Sequence, residues 1–415
     1  MFLTTVWVHR TNGSENTGKS LPAHLQDISS HHERTVQTLA QDFVRRFGDV
    51  PTIYQAPGRV NLIGEHTDYN EGFVMPAAIG MCTRVAAAPR RDGKLIVRSE
   101  NFSEEATFEL DQLPVRGSGH WSDYVVGVAK VLAESGIPLT GANLLICGDV
   151  PVGAGLSSSA SVEVAVGYAL MDLAGQETDR AQLARLCQQA ENEFVGARCG
   201  IMDQFVASHG KRDHALLLDC RSLDYRLLPL RADARLVICN TMVRHAIAGG
   251  EYNQRRAECE AGVKYLSRHF RSVRALRDAT LEELAALSGE LPDKILRRCR
   301  HVISENARVV QAAAALTRNE LSAFGDLMRE SHRSLRDDFE VSCAELDLMV
   351  QLVEQAQGVY GARMTGGGFG GCTINLVDAS CVDAFQQSVS EGYERATGRR
   401  PEIYVCSAAD GVGLA

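Results

Sequence analysis

The chain predicts a globular protein of mixed helices and strands, large enough for two domains or three. Its 415 residues suffice for more than one hydrophobic core. Hydrophobic residues at 45% and charged residues at 23% are ordinary for a packed interior under a soluble surface. Short apolar runs of strand length, such as Asn143-Leu-Leu-Ile-Cys147 and Leu236 to Cys239, interleave with stretches whose apolar residues recur at helical spacing.

Composition also narrows the partners. A net charge of -9 argues against nucleic acid or an anionic membrane, and an anionic substrate would need a local positive field. The twelve cysteines are scattered, with no CxxC and no His/Cys cluster at zinc spacing, so a reduced cytoplasmic protein is expected. Met1 to Val8 is too short for a signal core and lacks a basic flank. Residues 9–33 are polar, and residues 1–33 together are expected to form a disordered leader. The sequons at Asn12 and Asn101 are then fortuitous, and no stretch approaches transmembrane length.

Order is expected from Arg34. Val36, Leu39, Phe43 and Phe47 share one helical face that ends at Gly48. A strand-like piece, Pro51 to Gln55, leads into Ala56-Pro-Gly-Arg-Val-Asn-Leu-Ile-Gly-Glu-His-Thr-Asp-Tyr-Asn-Glu-Gly72. Two carboxylates, an imidazole and a phenol fall between Glu65 and Tyr69. Such a concentration suits a ligand with many hydroxyls, and it suits a solvated acidic turn as well. From Thr83 to Leu110 strands and turns are expected, with a hairpin at Asp92-Gly93. Trp121 to Leu132 reads as a helix.

The strand at Asn143 to Cys147 runs into Asp149-Val-Pro-Val-Gly-Ala-Gly-Leu-Ser-Ser-Ser-Ala-Ser-Val-Glu-Val164 and an apolar helix to Met171. Gly153 and Gly155 permit turns that aim successive N–H groups into one hollow. Ser157, Ser158 and Ser159 add hydroxyls at the helix start, where free amides and the dipole favour an anion. A phosphate cradle and an ordinary serine cap both fit. A P-loop is excluded because no lysine follows the second glycine, and a dinucleotide fingerprint because Ser158 stands where its third glycine belongs.

Asp179 to Val195 reads as a further helix with the stripe Leu183, Cys187, Ala190 and Phe194. Glu191 lies at the border of that stripe, whereas Asn192 and Glu193 are expected to point away. A carboxylate so placed needs a partner, either a salt bridge or a Mg²⁺ ion beside phosphates. In Arg198-Cys-Gly-Ile-Met-Asp-Gln204, Asp203 is an acid among apolar residues, and Gly200 permits close approach. Ala215 to Leu218 and Leu236 to Cys239 are expected strands of the second domain. Gly250 to Arg256 opens a helix, and residues 272–300 read as charged amphipathic helix and turn. Finally, Gly366 to Gly371 holds five glycines in six residues, which lets backbone approach another element or a ligand.

Pro151 to Ser159 resembles the central Pro-x-x-x-Gly-Leu-Ser-Ser-Ser/Ala motif of the GHMP small-molecule kinases. Gly58 to Tyr69 resembles the signature of their galactokinase branch position for position, since mevalonate and homoserine kinases lack Glu-His-x-Asp there. Cys199 to Gln204 resembles the string carrying that branch's catalytic aspartate, and Ala362 to Ile374 resembles the third GHMP motif. His301 to Asn306 and Ser331 to Ser342 are also similar to galactokinase segments, and their charges are expected to be solvated or structural. Met242 departs from the family, which more often has a polar residue there. The likeness extends from about Arg34 to Val405.

This resemblance implies an α+β, two-lobed GHMP-kinase fold of mixed sheets and helices, with the active site in the cleft between the lobes. Residues 34–210 would form the N-terminal domain and 211–415 the C-terminal one. The implied activity is ATP-dependent phosphorylation of the anomeric hydroxyl of D-galactose, with Asp203 and Arg59 catalytic. Glu65, His66, Thr67, Asp68, Gly200 and Tyr252 would bind sugar. Gly153, Ala154, Gly155, Leu156, Ser157, Ser158 and Ser159 would hold ATP, and Ser159 with Glu191 would hold Mg²⁺. Small-molecule partners only and a monomer are expected. Kinases for N-acetylgalactosamine, arabinose or galacturonate share much of the signature. Non-catalytic sugar sensors of this family lack part of the Ser157–Ala160 run, which is intact here.

Overall fold

The structure is a computed structural model and describes residues 23–244 and 248–415. Most of the expected leader lies outside the described residues. The first helix, α1 (Ala23–Phe47), begins well before Arg34. No glycine or proline interrupts that stretch, so nothing stops the helix earlier. Its Leu39 and Phe43 pack against Ala86, Ala88 and Leu145, as the stripe predicts.

The strands of the first half are β1 (Thr52–Asn61), β2 (Phe73–Val74), β3 (Pro76–Arg90), β4 (Lys94–Ser99), β5 (Glu104–Glu109) and β6 (Gly141–Gly148). The second half adds β7 (His214–Asp219), β8 (Tyr225–Pro229), β9 (Ala234–Arg244), β10 (Val359–Thr365), β11 (Gly370–Asp378), β12 (Glu402–Cys406) and β13 (Gly413–Leu414). They form three sheets, ordered β13-β1-β3-β6-β4-β5, β10-β11-β9-β12 and β2-β7-β8. All pairings are antiparallel except β4 with β6, so the largest sheet is mixed.

Asp92-Gly93 does not make a hairpin, because β6 lies between β3 and β4. β6 is buried along most of its length and therefore takes a central place, while residues 91–93 step across its end. The hairpin of this region is instead β4 with β5. Ala215–Leu218 is a strand as expected. It falls in β7, which pairs with β2 and β8.

The helices that follow α1 are α2 (Asp123–Glu134), α3 (Ser158–Leu173), α4 (Arg180–Gln189), α5 (Met202–His209), α6 (Ala248–His269) and α7 (Leu281–Ala286). Then come α8 (Asp293–Thr317), α9 (Leu321–Asp337), α10 (Ala344–Glu354) and α11 (Val382–Thr397). The expected helix 179–195 is only half ordinary: α4 ends at Gln189, and residues 190–195 widen into a π turn. That wider turn changes the phase of the last residues. Glu191 becomes buried, Asn192 half-buried and Glu193 exposed.

One core lies between the six-stranded sheet and α2, α3 and α4. α3 is its axle, with Val164, Ala165, Val166 and Ala169 fully buried, each of the larger ones stabilising by about 1.5–3 kcal/mol. A second core joins Val60, Leu62 and Ile63 of the first sheet and its following loop to Ile238 and Ile374 of the second and to Val309 and Ala312 of α8. The two halves of the chain thus share an interior. They also exchange backbone: β13 closes the edge of β1, and Ala408 bridges Ile79.

Candidate active site

β1 positions the first functional group. Its register against β3 slips between Pro57 and Arg59, and Gly58 sits at that slip. A side chain at Gly58 would meet the Leu156 carbonyl at 2.7 Å, so glycine is what lets the strand touch the 153–159 loop. The contact is sealed by Arg59 N–H donating to Leu156 O at 3.1 Å. Arg59 is 5% exposed, and its fork meets Asp203 squarely. Nε donates to Oδ1 at 2.8 Å, Nη2 to Oδ2 at 2.7 Å, and Nη1 to the Gly155 carbonyl at 2.6 Å. Burial opposes the Arg59 charge, but Asp203, Glu65 and Asp68 around it raise its pKa. The guanidinium therefore stays charged.

The 153–159 loop turns through positive φ at Gly153, Gly155 and Ser157, as the glycines predict. Ser157 precedes α3 yet makes no side-chain cap, because its hydroxyl donates to Asp203 instead. The first amides of a helix buried nearly all round are left without a side-chain cap. Gly153 and Gly155–Ser159 line a cleft of ≈ 850 Å³, and so do Arg59, Glu65, His66, Asp68, Asp203 and Tyr252. Ala154 lies beneath the loop instead, 1% exposed.

The glycine-rich segment that leads into β11 supports this loop. A side chain at Gly366 would strike the Gly155 carbonyl at 2.8 Å, and one at Gly371 the Ala154 carbonyl at 2.9 Å. Gly366 N–H also donates to Glu65 Oε1 at 2.7 Å, tying the segment to the 64–72 loop. Arg363 Nη2 stands 3.4 Å from the same carboxylate. Burial nevertheless pushes the Glu65 carboxyl up against the pull of Arg363 and Arg59.

His66 adopts φ 62°, a left-handed conformation that costs a non-glycine residue about 1–2 kcal/mol. Burial above all, then the Arg255 charge, lowers its pKa to about 3, so the ring is neutral. Nδ1 meets Tyr69 Oη at 2.8 Å, and the Tyr252 ring lies 5.5 Å from both His66 and Tyr69. Burial and the Asp203 charge raise Asp68 to about 7. Thr67 turns away from the cleft: it is fully buried, with Oγ1 against the carbonyls of Gly64 and Phe73 at 2.8 and 2.7 Å.

Gly200 does not line the cleft either. A side chain there would lie 2.0 Å from Asp68 Oδ2, so its space is filled by that carboxylate. Glycine at this position makes room for a neighbouring side chain, where close approach of a ligand was expected.

Among the described residues Glu191 finds no basic partner. Gln204 Nε2 donates to its Oε2 at 2.5 Å and to Glu163 Oε2 at 3.0 Å, and the Cys199 thiol donates at 3.2 Å. Burial raises both carboxyls, and the second cause is an acidic neighbour in each case: Asp203 for Glu191 and Glu191 for Glu163. The nearby Ser159 hydroxyl works against that rise at Glu191. Among the described residues no group of three His, Cys, Asp or Glu is poised to hold a metal ion. An ion here would need oxygens from a bound ligand as well.

Residues that sequence reasoning passed over are Glu163, Gln204, Arg363, Phe102 and Trp121. Glu163 had a visible signal, an acid four residues beyond Ser159 inside an apolar helix. The stack of Phe102 on Trp121, 5.9 Å apart in the lining of the cleft, had none, because it joins two separate segments.

The family description "GHMP kinases N terminal domain" matches residues 123–211, and "GHMP kinases C terminal" matches 312–395. The two-lobed α+β architecture is that of the GHMP kinases. "Galactokinase galactose-binding signature" matches residues 41–89. The chain is 48% identical over 376 residues to a galactokinase of Roseiflexus sp. (strain RS-1), covering 90% of this chain and 96% of that one. It is 50% identical to a galactokinase of Chloroflexus aurantiacus, covering 91% and 97%. The crystal structure of Lactococcus lactis galactokinase complexed with galactose superposes with a TM-score of 0.89 at 38% identity, covering 92% of this chain and all of that one. The chain belongs to the galactokinase family, and it is a kinase with ATP as co-substrate.

Proposed function

We propose that this enzyme transfers the γ-phosphoryl group of ATP to the anomeric hydroxyl of D-galactose, giving α-D-galactose 1-phosphate and ADP. The observation that supports it most is the buried Arg59–Asp203 fork, flanked by the 153–159 loop on one side and the 64–72 loop on the other. Phosphoryl transfer through a loose transition state asks mainly for positioning and charge neutralisation. Backbone amides of 153–159 and the start of α3 would take the β- and γ-phosphates. The stacked Phe102 and Trp121 offer a flat apolar wall for adenine.

Glu65, Asp68, neutral His66 and Tyr252 would bind the sugar hydroxyls. Gly200 would act indirectly by admitting the Asp68 carboxylate, and Thr67 by shaping the loop. Asp203 would accept the O1 proton as the O1–P bond forms and the bond to the β-phosphate oxygen breaks. A carboxylate is a weak base for a sugar hydroxyl, so the proton moves late, when O1 has become acidic through bonding to phosphorus. Arg59 would hold Asp203 in place and stabilise the charge that develops beside it.

The residues around Glu191 fit a Mg²⁺ ion. Two buried carboxylates, Glu191 and Glu163, have acids rather than bases as their charged neighbours, and Glu163 Oε1 is buried without a partner. Ser159 and Glu191 would hold the ion together with phosphate oxygens, and its charge would offset that of the triphosphate. We also take the protein to be a cytoplasmic monomer. Among the described residues no helix is long and apolar enough to cross a membrane.

A panel of galactose, N-acetylgalactosamine, arabinose and galacturonate in a coupled ADP-release assay tests the reading. The expected outcome is the highest kcat/KM with galactose. A preference for another sugar of the panel would overturn the substrate, and sugar binding without ADP release would overturn the catalytic reading.

A further inference from the structure

His301 to Asn306 carry buried polar groups that no step above uses. His301 and Glu305 are fully buried on α8, one turn apart, and Asn306 beside them is 9% exposed. None of the three lines the cleft. All three reach the backbone of the 64–73 segment instead. Glu305 Oε1 accepts from Gly64 N–H at 2.9 Å, and Asn306 Oδ1 accepts from Phe73 N–H at 2.8 Å. His301 Nε2 lies 3.1 Å from the Glu65 carbonyl.

The hydrogen on His301 can be assigned by its partners. A carbonyl only accepts, so Nε2 carries the proton, and Nδ1 then accepts from Ser334 Oγ at 2.9 Å. Burial lowers the His301 pKa to about 4, which keeps the ring in this neutral form. Glu305 is braced in the same way: Ser331 Oγ donates to Oε1 at 2.6 Å and Arg308 Nε to Oε2 at 2.6 Å. α9 thus fixes α8, and α8 grips the loop at its beginning and its end. The gripped carbonyl belongs to Glu65 and opens directly onto His66, the residue held at φ 62°. Its orientation decides where the side chains of residues 65–68 stand.

We propose that His301, Glu305 and Asn306 are positioning residues for the sugar: by holding Gly64, Glu65 and Phe73 they set the pose of the 64–72 loop, and through it galactose affinity, without touching substrate. The inference rests on the reading of that loop as the sugar-binding one. Their hydrogen bonds go to Gly64, Glu65 and Phe73 and not to 153–159, on which nucleotide affinity depends, so the effect on galactose should exceed that on ATP.

The test compares His301→Leu, His301→Gln, Ser334→Ala and Asp68→Ala in the full-length enzyme. Galactose binding to the nucleotide-free protein is measured by calorimetry well below the melting temperature, alongside KM for each substrate. Loss of the Nε2–H donor in His301→Leu is expected to raise the galactose Kd and KM about tenfold while KM for ATP stays within about twofold. His301→Gln restores a donor and should recover part of that loss. Ser334→Ala, which keeps the ring but removes the hydroxyl that fixes its tautomer, should weaken galactose about threefold and decides the matter if His301→Leu does not fold. Equal weakening of both substrates, or none in either α8 or α9 variant while Asp68→Ala weakens galactose, would overturn the inference and leave the loop reading standing. Unchanged galactose binding in Asp68→Ala as well would bring down both.

Discussion

Replacing Asp203 by asparagine probes the central pair with the least change of shape. Both carboxylate oxygens accept from Arg59, at 2.8 and 2.7 Å, so an amide can satisfy only one arm of the fork. Its NH₂ group must face an Arg59 N–H. Removing one member of a buried ion pair typically costs about 3–5 kcal/mol. Here Arg59 keeps the Gly155 carbonyl at 2.6 Å and the nearby charges of Glu65 and Asp68, so about 2–3 kcal/mol is expected. That is a lowered melting temperature but a folded protein.

Catalysis should suffer more. A positioned proton acceptor contributes roughly 10²–10⁴ in rate, or about 3–5 kcal/mol of barrier. Ser157 can still donate to the remaining oxygen, so the phosphate loop should keep its shape and ATP its affinity. The measurements are kcat by coupled ADP release, ATP affinity by calorimetry, and thermal unfolding. A kcat within about tenfold of the parent, in a protein whose melting temperature has fallen, would remove Asp203 as proton acceptor and leave it a structural anchor for Arg59.

Gly200→Ala places a carbon 2.0 Å from Asp68 Oδ2, so the carboxylate must move. The galactose KM should rise at least about tenfold with ATP affinity little changed, and an unaltered galactose KM would show that Asp68 is dispensable for sugar. The pH dependence of stability tests Asp68 itself. Its folded pKa of about 7 exceeds that of a free aspartate, through burial and then the Asp203 charge. Its contribution is therefore fully present below the unfolded pKa near 4 and is lost as pH rises through about 7. Asp68→Asn should gain on the ligand-free parent between pH 5 and 8, by about 1–2 kcal/mol once the opening onto cleft water is allowed for. Melting curves that stay parallel across that range would refute the buried-acid account.

Local chemistry explains which parts were readable in advance. The 153–159 loop was legible because glycine, positive φ and a helix start are properties of adjacent residues. So was α3, whose apolar residues permit no exposed face. The Glu65–Tyr69 cluster was legible as a dense polar turn because its groups are contiguous. The hairpin at Asp92-Gly93 failed for the opposite reason: whether two neighbouring strands pair depends on a third, β6, contributed some fifty residues later. Likewise the π turn that buries Glu191 follows from how residues 190–195 meet the rest of the core, and no periodicity announces it.

Gly200 marks the boundary between the two kinds of knowledge. Its identity was visible, but its purpose became clear only when folding brought Asp68 against it. His301, Glu305 and Asn306 are the same case on a larger scale. A polar residue on an amphipathic helix is assigned to solvent by default, because hydration is its cheapest local state. Only the packing of α8 against the loop removes the water and makes backbone groups more than two hundred residues away their partners. Composition and spacing determined the parts; which face met which was settled by the shared interior of the two halves.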